Sequence, residues 1–232
     1  MFPLGVLRSQ QQESYNPNLC FGLYHFDGGT GGTLFSDNSP ANRTLQGDGA
    51  LLWDIAKFGD SSVRFPDDVY DKAVYHSCYD VGNSDFTFEL LFLFNFAFGQ
   101  VFKGLIANAD NPSTKDWQLY LNGQKIEFGI NLQNDGWQTL QHQDNALSST
   151  WNYVKVLRKN GVIKIGLNGV ESSNAINAGN QSVSYLANKF VVGGMYYSSP
   201  WNGLYPNGFI DELRLNKQAI DGWSVPTAPF AM

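Results

Sequence analysis

The chain of 232 residues is 43% hydrophobic, 15% aromatic and only 16% charged, so it can bury a sizeable core and is too apolar for disorder over most of its length. A net charge of −6, with Lys and Arg scattered rather than clustered, argues against a nucleic-acid surface, whose phosphate contacts need basic patches. The longest apolar run, 90–94 followed by 96–98 after an Asn, falls far short of the ~20 residues that cross a bilayer, and no membrane insertion is expected.

Residues 1–19 read as a Gln-, Pro- and Asn-containing arm. The opening Met1-Phe2-Pro3-Leu4 and the polar Ser9 to Glu13 lack the basic start and full apolar stretch of a secretory signal, and none is expected. From residue 20 onward, apolar alternation predicts strands at 20–26, 86–94, 100–107, 117–121, 125–130, 151–158, 162–167, 190–192 and 209–215. No segment carries a convincing helical stripe. Asn122-Gly123, Asn160-Gly161 and Asn168-Gly169 each sit between apolar runs, where two residues of positive φ close a type I′ hairpin. The fold class expected is therefore all-β, a two-sheet antiparallel jelly-roll sandwich over 20–224, because each half-apolar sheet must cover its face with another. Residues 225–232, Val-Pro-Thr-Ala-Pro-Phe-Ala-Met, read as an extended tail that lies on the sandwich or on a partner. Cys20 and Cys78 are too sparse for a disulfide scaffold and are expected as free buried thiols.

A glycosidase needs two carboxylates about 5 to 10 Å apart across a sugar cleft. The carboxylates here are dispersed: Glu89 on an apolar strand, where a sheet-surface or edge role is expected, Glu127 on a hairpin, and adjacent Asp211-Glu212, which alternation sends to opposite faces. His25, His76 and His142 each stand alone, with no metal-ligand spacing around them. No catalytic residue is assigned and no enzyme is expected. Alternation also groups Asp211 with Phe209, Leu213 and Leu215 on the more apolar face of its strand, so its carboxylate should be buried and in need of a partner.

Two loops have the composition of contact surfaces. Residues 193–208 contain Tyr196, Tyr197, Trp201 and Tyr205 with Asn202 and no charge, and 134–137 combine Asn134, Asp135 and Trp137. Sugars stack on such aromatic rings while Asn and Asp meet hydroxyls, and the same residues serve protein interfaces or simply pack a loop onto the sheet.

The ordered set Tyr24-His25-Phe26-Asp27-Gly28, Phe35 to Pro40, Lys57 to Phe65, Ser84 to Glu89, Leu119 to Gly123, Gly166 to Gly169 and Gly208 to Leu215 resembles laminin-G-like domains of the concanavalin A-like lectin/glucanase superfamily. The resemblance covers about 20–224, and the closing Pro-Thr-Ala-Pro-Phe is similar to laminin-G-like domains on bacteriophage virion proteins. It implies a jelly roll that binds glycans, displays an adhesion surface or, in the glucanase branch, hydrolyses polysaccharides. The Glu-x-Asp-x-x-Glu strand of that branch is missing here. The resemblance also implies a structural calcium with Asp211 as side-chain ligand, joined by Asp27 and the Gly59 carbonyl, against the alternative that Asp211 only accepts backbone N–H groups. The expected function is thus a non-enzymatic structural and binding protein of a phage virion, as capsid decoration, fibre or tail tip. It would be made in the host cytoplasm, contact other virion proteins and copies of itself, and meet host surface glycans. A free soluble lectin and, behind it, a glycoside hydrolase are the alternatives.

Overall fold

The computed structural model describes residues 15–66, 72–94, 102–111, 113–195, 202–203 and 208–231. Strands are numbered in chain order. One sheet joins β1 (Cys20–Tyr24), β4 (Leu51–Trp53), β5 (Ser62–Phe65), β7 (Phe86–Leu93), β12 (Asn152–Lys159), β13 (Val162–Leu167), β14 (Val170–Glu171), β15 (Ile176–Asn177) and β19 (Gly208–Asn216). Its order is β14-β13-β12-β7-β19-β5-β4, with β1 also paired to β19 and β15 to β13. The second sheet runs β11-β10-β9-β8-β16-β6-β3-β2, built from β2 (Leu34–Phe35), β3 (Leu45–Asp48), β6 (Lys72–Tyr75), β8 (Phe102–Asn111), β9 (Thr114–Asn122), β10 (Lys125–Leu132), β11 (Gly136–Asn145) and β16 (Phe190–Val192). A short ribbon, β17 (Gly194–Met195) with β18 (Asn202–Gly203), packs on β8.

Period-two alternation decides what each face carries. In β7, Phe86, Phe88, Leu90 and Phe92 enter the core, and in β9 Trp117, Leu119 and Leu121 do the same from the opposite sheet. The two sets meet where the Phe88 and Trp117 rings lie 4.5 Å apart, with Phe86 stacked on Phe88 at 4.5 Å. Burying such rings contributes about 1.5–3 kcal/mol each, which makes this contact a main weld between the sheets.

The hairpin expectation holds at two sites and shifts at the third. Asn160-Gly161 and Asn168-Gly169 have positive φ at both residues and join the paired ends Lys159 with Val162 and Leu167 with Val170. At the first site Asn122 itself pairs with Lys125, so Gly123 and Gln124 make the turn and only Gly123 has positive φ. The ten-residue β11 begins within what reads in sequence as a loop. Its pattern is mostly exposed, and Gln, Asn and Asp supply no apolar alternation; its strand character comes from pairing with β10. Cys20 and Cys78 are both unbridged and buried.

Glu89 keeps to the sheet surface expected of it, but it is buried there and not at an edge. It lies on the central strand β7, 3% exposed, and points to the outer face. There its Oε1 accepts from the Tyr153 hydroxyl at 2.5 Å, and its Oε2 accepts from Arg214 Nη2 at 2.6 Å and Nε at 3.0 Å. Lys155 Nζ stands 3.6 Å away. Burial works against the charge, but Arg214 and then Lys155 outweigh it and hold the carboxyl below its usual range.

The tail closes over this layer. Gly222 O accepts from Lys155 Nζ at 2.9 Å, Ala231 O from Arg214 Nη1 at 3.0 Å, and Phe230 sits 4.6 Å from the Arg214 guanidinium. Phe230 also joins a small buried cluster with Cys20, Leu23, Leu91 and Tyr153. The tail therefore lies on the sandwich, its carbonyls serving cations whose charge Glu89 balances. Removing Glu89 leaves two buried cations without their counter-charge, so Glu89→Ala should destabilise the fold by about 3 kcal/mol in denaturant melts. Glu89→Gln should cost less, and unchanged stability of Glu89→Ala would contradict this account.

Candidate functional site

The outer face of the second sheet carries a cleft of about 460 Å³ lined by Phe102, Lys115, Gln118, Tyr120, Asn122, Glu127, Trp137, Thr139 and Met195. Four adjacent strands supply its floor: β8, β9, β10 and β11. Because Trp117, Leu119 and Leu121 are committed to the core, Gln118, Tyr120 and Asn122 must project to the opposite side. On β10, Ile126, Phe128 and Ile130 likewise turn inward, leaving Glu127 and Gly129 outside.

Gly129 is needed where it is. A Cβ there would lie 2.1 Å from Trp137 Cζ2, so the indole lies across bare main chain. Lys115 Nζ approaches the same ring to 4.3 Å from its centroid, a cation–π geometry. Burial holds the Lys115 ammonium below its usual pKa, and among the described residues it forms no ion pair with a carboxylate. Glu127 Oε1 accepts from Asn122 Nδ2 at 3.0 Å and Gln141 Nε2 at 2.5 Å, and it is the only carboxylate among the described lining residues. Gln118 is 0% exposed, and neither its Oε1 nor its Nε2 has a hydrogen-bond partner among the described residues. A buried amide without a protein partner costs several kcal/mol.

Of the two contact loops expected from sequence, the first divides. Trp137 lines the cleft, whereas Asn134 and Asp135 belong to the β10–β11 turn and are tied elsewhere: the Asn134 N–H donates to Gln181 Oε1 at 3.2 Å, and Asp135 Oδ2 accepts from Gln181 Nε2 at 2.5 Å. In the second loop Tyr196, Tyr197, Trp201 and Tyr205 lie outside the described residues, and Asn202 is described only as backbone of β18. Met195, the last described residue before 196, lines the cleft. Lys115 and Gln118 are not among the residues singled out from sequence. The signal was available: a strand with Trp117, Leu119 and Leu121 on one face necessarily displays Gln118 on the other.

The expected grouping of Asp211 with Leu213 and Leu215 is overturned by a β-bulge. Pairing of β19 with β7 shifts between Asp211 and Arg214, and Glu212 adopts φ 50°. The extra residue reverses the phase, so Ile210, Leu213 and Leu215 face the core and Asp211 faces outward beneath residues 57–58. It is still 0% exposed. Its Oδ2 accepts the Lys57 N–H at 2.7 Å and the Phe58 N–H at 3.0 Å, while Oδ1 is buried without a partner among the described residues. Burial pushes its pKa up to about 7 against the pull of those N–H groups.

Asp27 and Gly59 do come together: Asp27 Oδ1 accepts the Asp60 N–H at 3.0 Å, and a Cβ on Gly59, whose φ is +66°, would fall 2.0 Å from that oxygen. His25, expected alone, instead bonds Glu212 through Nδ1 at 2.9 Å. That bond is the main cause of its raised pKa, with Asp27 and Asp211 adding to it. Glu212 Oε2 also accepts the Phe230 N–H at 2.7 Å, which secures the bulge to the tail. No group of three His, Cys, Asp or Glu suited to a metal occurs among the described residues. Tested for calcium, the orphaned Asp211 Oδ1 fits as a ligand, with the remaining oxygens to come from carbonyls and water.

Residues 59–223 match the laminin-G-type family described as the concanavalin A-like lectin/glucanases superfamily. The binding domain of botulinum neurotoxin serotype D superposes with a TM-score of 0.66 at 12% identity, covering 88% of this chain and 50% of that one. For the binding domain of Paraclostridial Mosquitocidal Protein 1 the values are 0.65, 12%, 88% and 50%, and for the serotype G binding domain 0.62, 12%, 87% and 48%. The chain thus spans about half the length of these structures, and no curated protein matches it. Two packed antiparallel sheets and the match over 59–223 together make the chain a member of the laminin-G-type family of the concanavalin A-like lectin/glucanase superfamily.

Proposed function

We propose that the chain is a non-hydrolytic binding module that takes a saccharide in the cleft of the second sheet. The observation that carries this reading is the cleft lining itself, in which the half-buried Trp137 ring stands beside Asn122, Thr139 and Glu127 on the outer face of the second sheet. Aromatic surface beside groups that both donate and accept suits the alternating CH faces and hydroxyls of a sugar. A single carboxylate held by two amides supports recognition over the two-carboxylate chemistry of hydrolysis. The laminin-G-type fold, shared with receptor-binding domains of toxins, supports a binding role of the same general kind.

The setting we propose is a bacteriophage virion, where the chain contacts other virion proteins and copies of itself and meets host glycans. The similarity of its closing Pro-Thr-Ala-Pro-Phe to phage laminin-G-like domains supports this. Mass spectrometry of purified particles should find the chain at stoichiometric level, and its absence from them would remove the virion setting.

A structural calcium on Asp211, with Asp27 and the Gly59 carbonyl nearby, belongs to the same proposal. The ion would neutralise a buried carboxylate that the main chain satisfies on one side only. Without calcium, the folded-state pKa near 7 lies above the ordinary carboxylate value. The folded state then binds the extra proton, and stability present below about pH 4 is lost as pH rises towards 7. Asp116, raised to about 6, acts in the same direction. Calcium should flatten the Asp211 part of that fall and chelator restore it, an effect on the order of a few kcal/mol, and Asp211→Asn should abolish both responses. Thermal melts indifferent to chelator at pH 7 would sink the calcium assignment.

For the cleft, Trp137→Ala is the sharpest test. It removes the ring beside the lining polar groups from a strand at the edge of the sheet, so saccharide affinity should fall at least tenfold in titration calorimetry while the melting curve reports that the fold persists. Full binding by Trp137→Ala would overturn the site.

A further inference from the structure

The cleft is electrically uneven. At one end Lys115 is partly buried beside Trp137, with no carboxylate bound to it among the described residues. At the other end Glu127 is already held by Asn122 and Gln141. The surrounding charges do not cancel the cation: the ion pairs of the described chain engage Lys72, Lys155, Lys159, Lys164, Arg214 and His25, all away from the cleft. A partly desolvated ammonium with only a ring for company gains most from an anion, and a charge-assisted hydrogen bond is roughly twice as strong as a neutral one. Asn122, Thr139 and the Glu127 carboxylate can meet hydroxyls.

The floor of the cleft is mid-sheet. Strands β9 and β10 are paired on both sides, so their main chain offers no free edge for an extended peptide to extend the sheet. Recognition there falls to side chains, which suits a hydroxyl-rich ligand.

We infer that the ligand of this cleft is an acidic saccharide, a uronic or sialic acid type sugar, seated with its carboxylate on Lys115 and its hydroxyls on Asn122, Glu127 and Thr139; this rests on the cleft being the saccharide site. Trp137 is then a positioning residue for the ammonium as well as part of the wall.

The test uses the full chain and matched probes: oligogalacturonate and sialyllactose, each against its carboxylate methyl ester, by titration calorimetry at low and at physiological salt. The acidic forms should bind at least tenfold tighter than the esters, with the margin shrinking as salt rises. Lys115→Gln should bring acid and ester affinities together, and Lys115→Arg should restore most of the preference. Melting curves of both variants report whether the fold persists, and Lys115→Arg keeps the test decisive if the Gln variant is unstable. Equal affinity for acid and ester in the unmodified protein overturns this inference and leaves the saccharide site standing. So does a preference that survives Lys115→Gln. No binding of any of these sugars, or Lys115-dependent binding of a polyglutamate peptide in their place, overturns both.

Discussion

The contact between Phe88 and Trp117 sets the phase of both sheets. Once these rings meet in the core at 4.5 Å, strict alternation along β9 leaves no choice about its other face, and Gln118 and Tyr120 must stand on the outside of the same strand. Alternation along β7 similarly sends Glu89 outward between Phe88 and Leu90. The cleft and the buried ion layer are therefore consequences of one packing decision, expressed on opposite outer surfaces of the sandwich. A register slip of one residue in either strand would bury Gln118 or Glu89 in the aromatic core, where neither has a partner, so the polar residues reinforce the register that the aromatic ones choose.

Among the breaks in alternation, the one in β19 gathers the most polar groups. The bulge at Asp211 and Glu212 inserts a residue into β19, so both carboxylates face outward in succession. Glu212 is held at φ 50° by its bonds to His25 and to the Phe230 N–H, while Asp211 is capped by the Lys57 and Phe58 N–H groups. The bulge thus couples the first strand, the 57–60 segment and the tail at one corner. Strain of this kind persists when surrounding bonds over-determine it, and here three separate parts of the chain do so.

Much of the architecture was legible in the sequence, because strands such as 86–94, 125–130 and 162–167 show dense apolar alternation, and Asn160-Gly161 and Asn168-Gly169 require positive φ at both residues. What was not legible depends on neighbours rather than on the residue itself. Strand β11, rich in Gln and Asn, is a strand only because β10 offers it an edge. The face of Asp211 follows from a bulge that no local pattern announces, and the partnership of Glu89 with Arg214 joins residues 125 positions apart. The site was half readable: Trp137 stood out as an aromatic beside polar loop residues, whereas Gln118 carries no compositional flag. Its importance lies in having no partner, a property that exists only in three dimensions.

The two outer faces solve the same problem differently, and the difference bears on the proposed cleft. On each, a Trp lies across a glycine whose Cβ would collide with the ring, Trp137 over Gly129 and Trp223 over Gly166 at 2.1 and 2.2 Å, and a lysine approaches that Trp at 4.3 and 5.8 Å. On the first sheet that lysine, Lys155, is answered by Glu89 and by the Gly222 carbonyl, and residues 221–231 close over the layer. On the second sheet Lys115 has no such carboxylate and Gln118 no partner among the described residues. Gln118 does not stand alone in this: Arg158, Asp211 and Asn216 on the first sheet also keep buried polar atoms without partners among the described residues. What separates the two faces is the lysine, answered by Glu89 on the first sheet and set against the Trp137 ring on the second, so an anion entering the proposed cleft would supply there what the chain supplies itself on the other face.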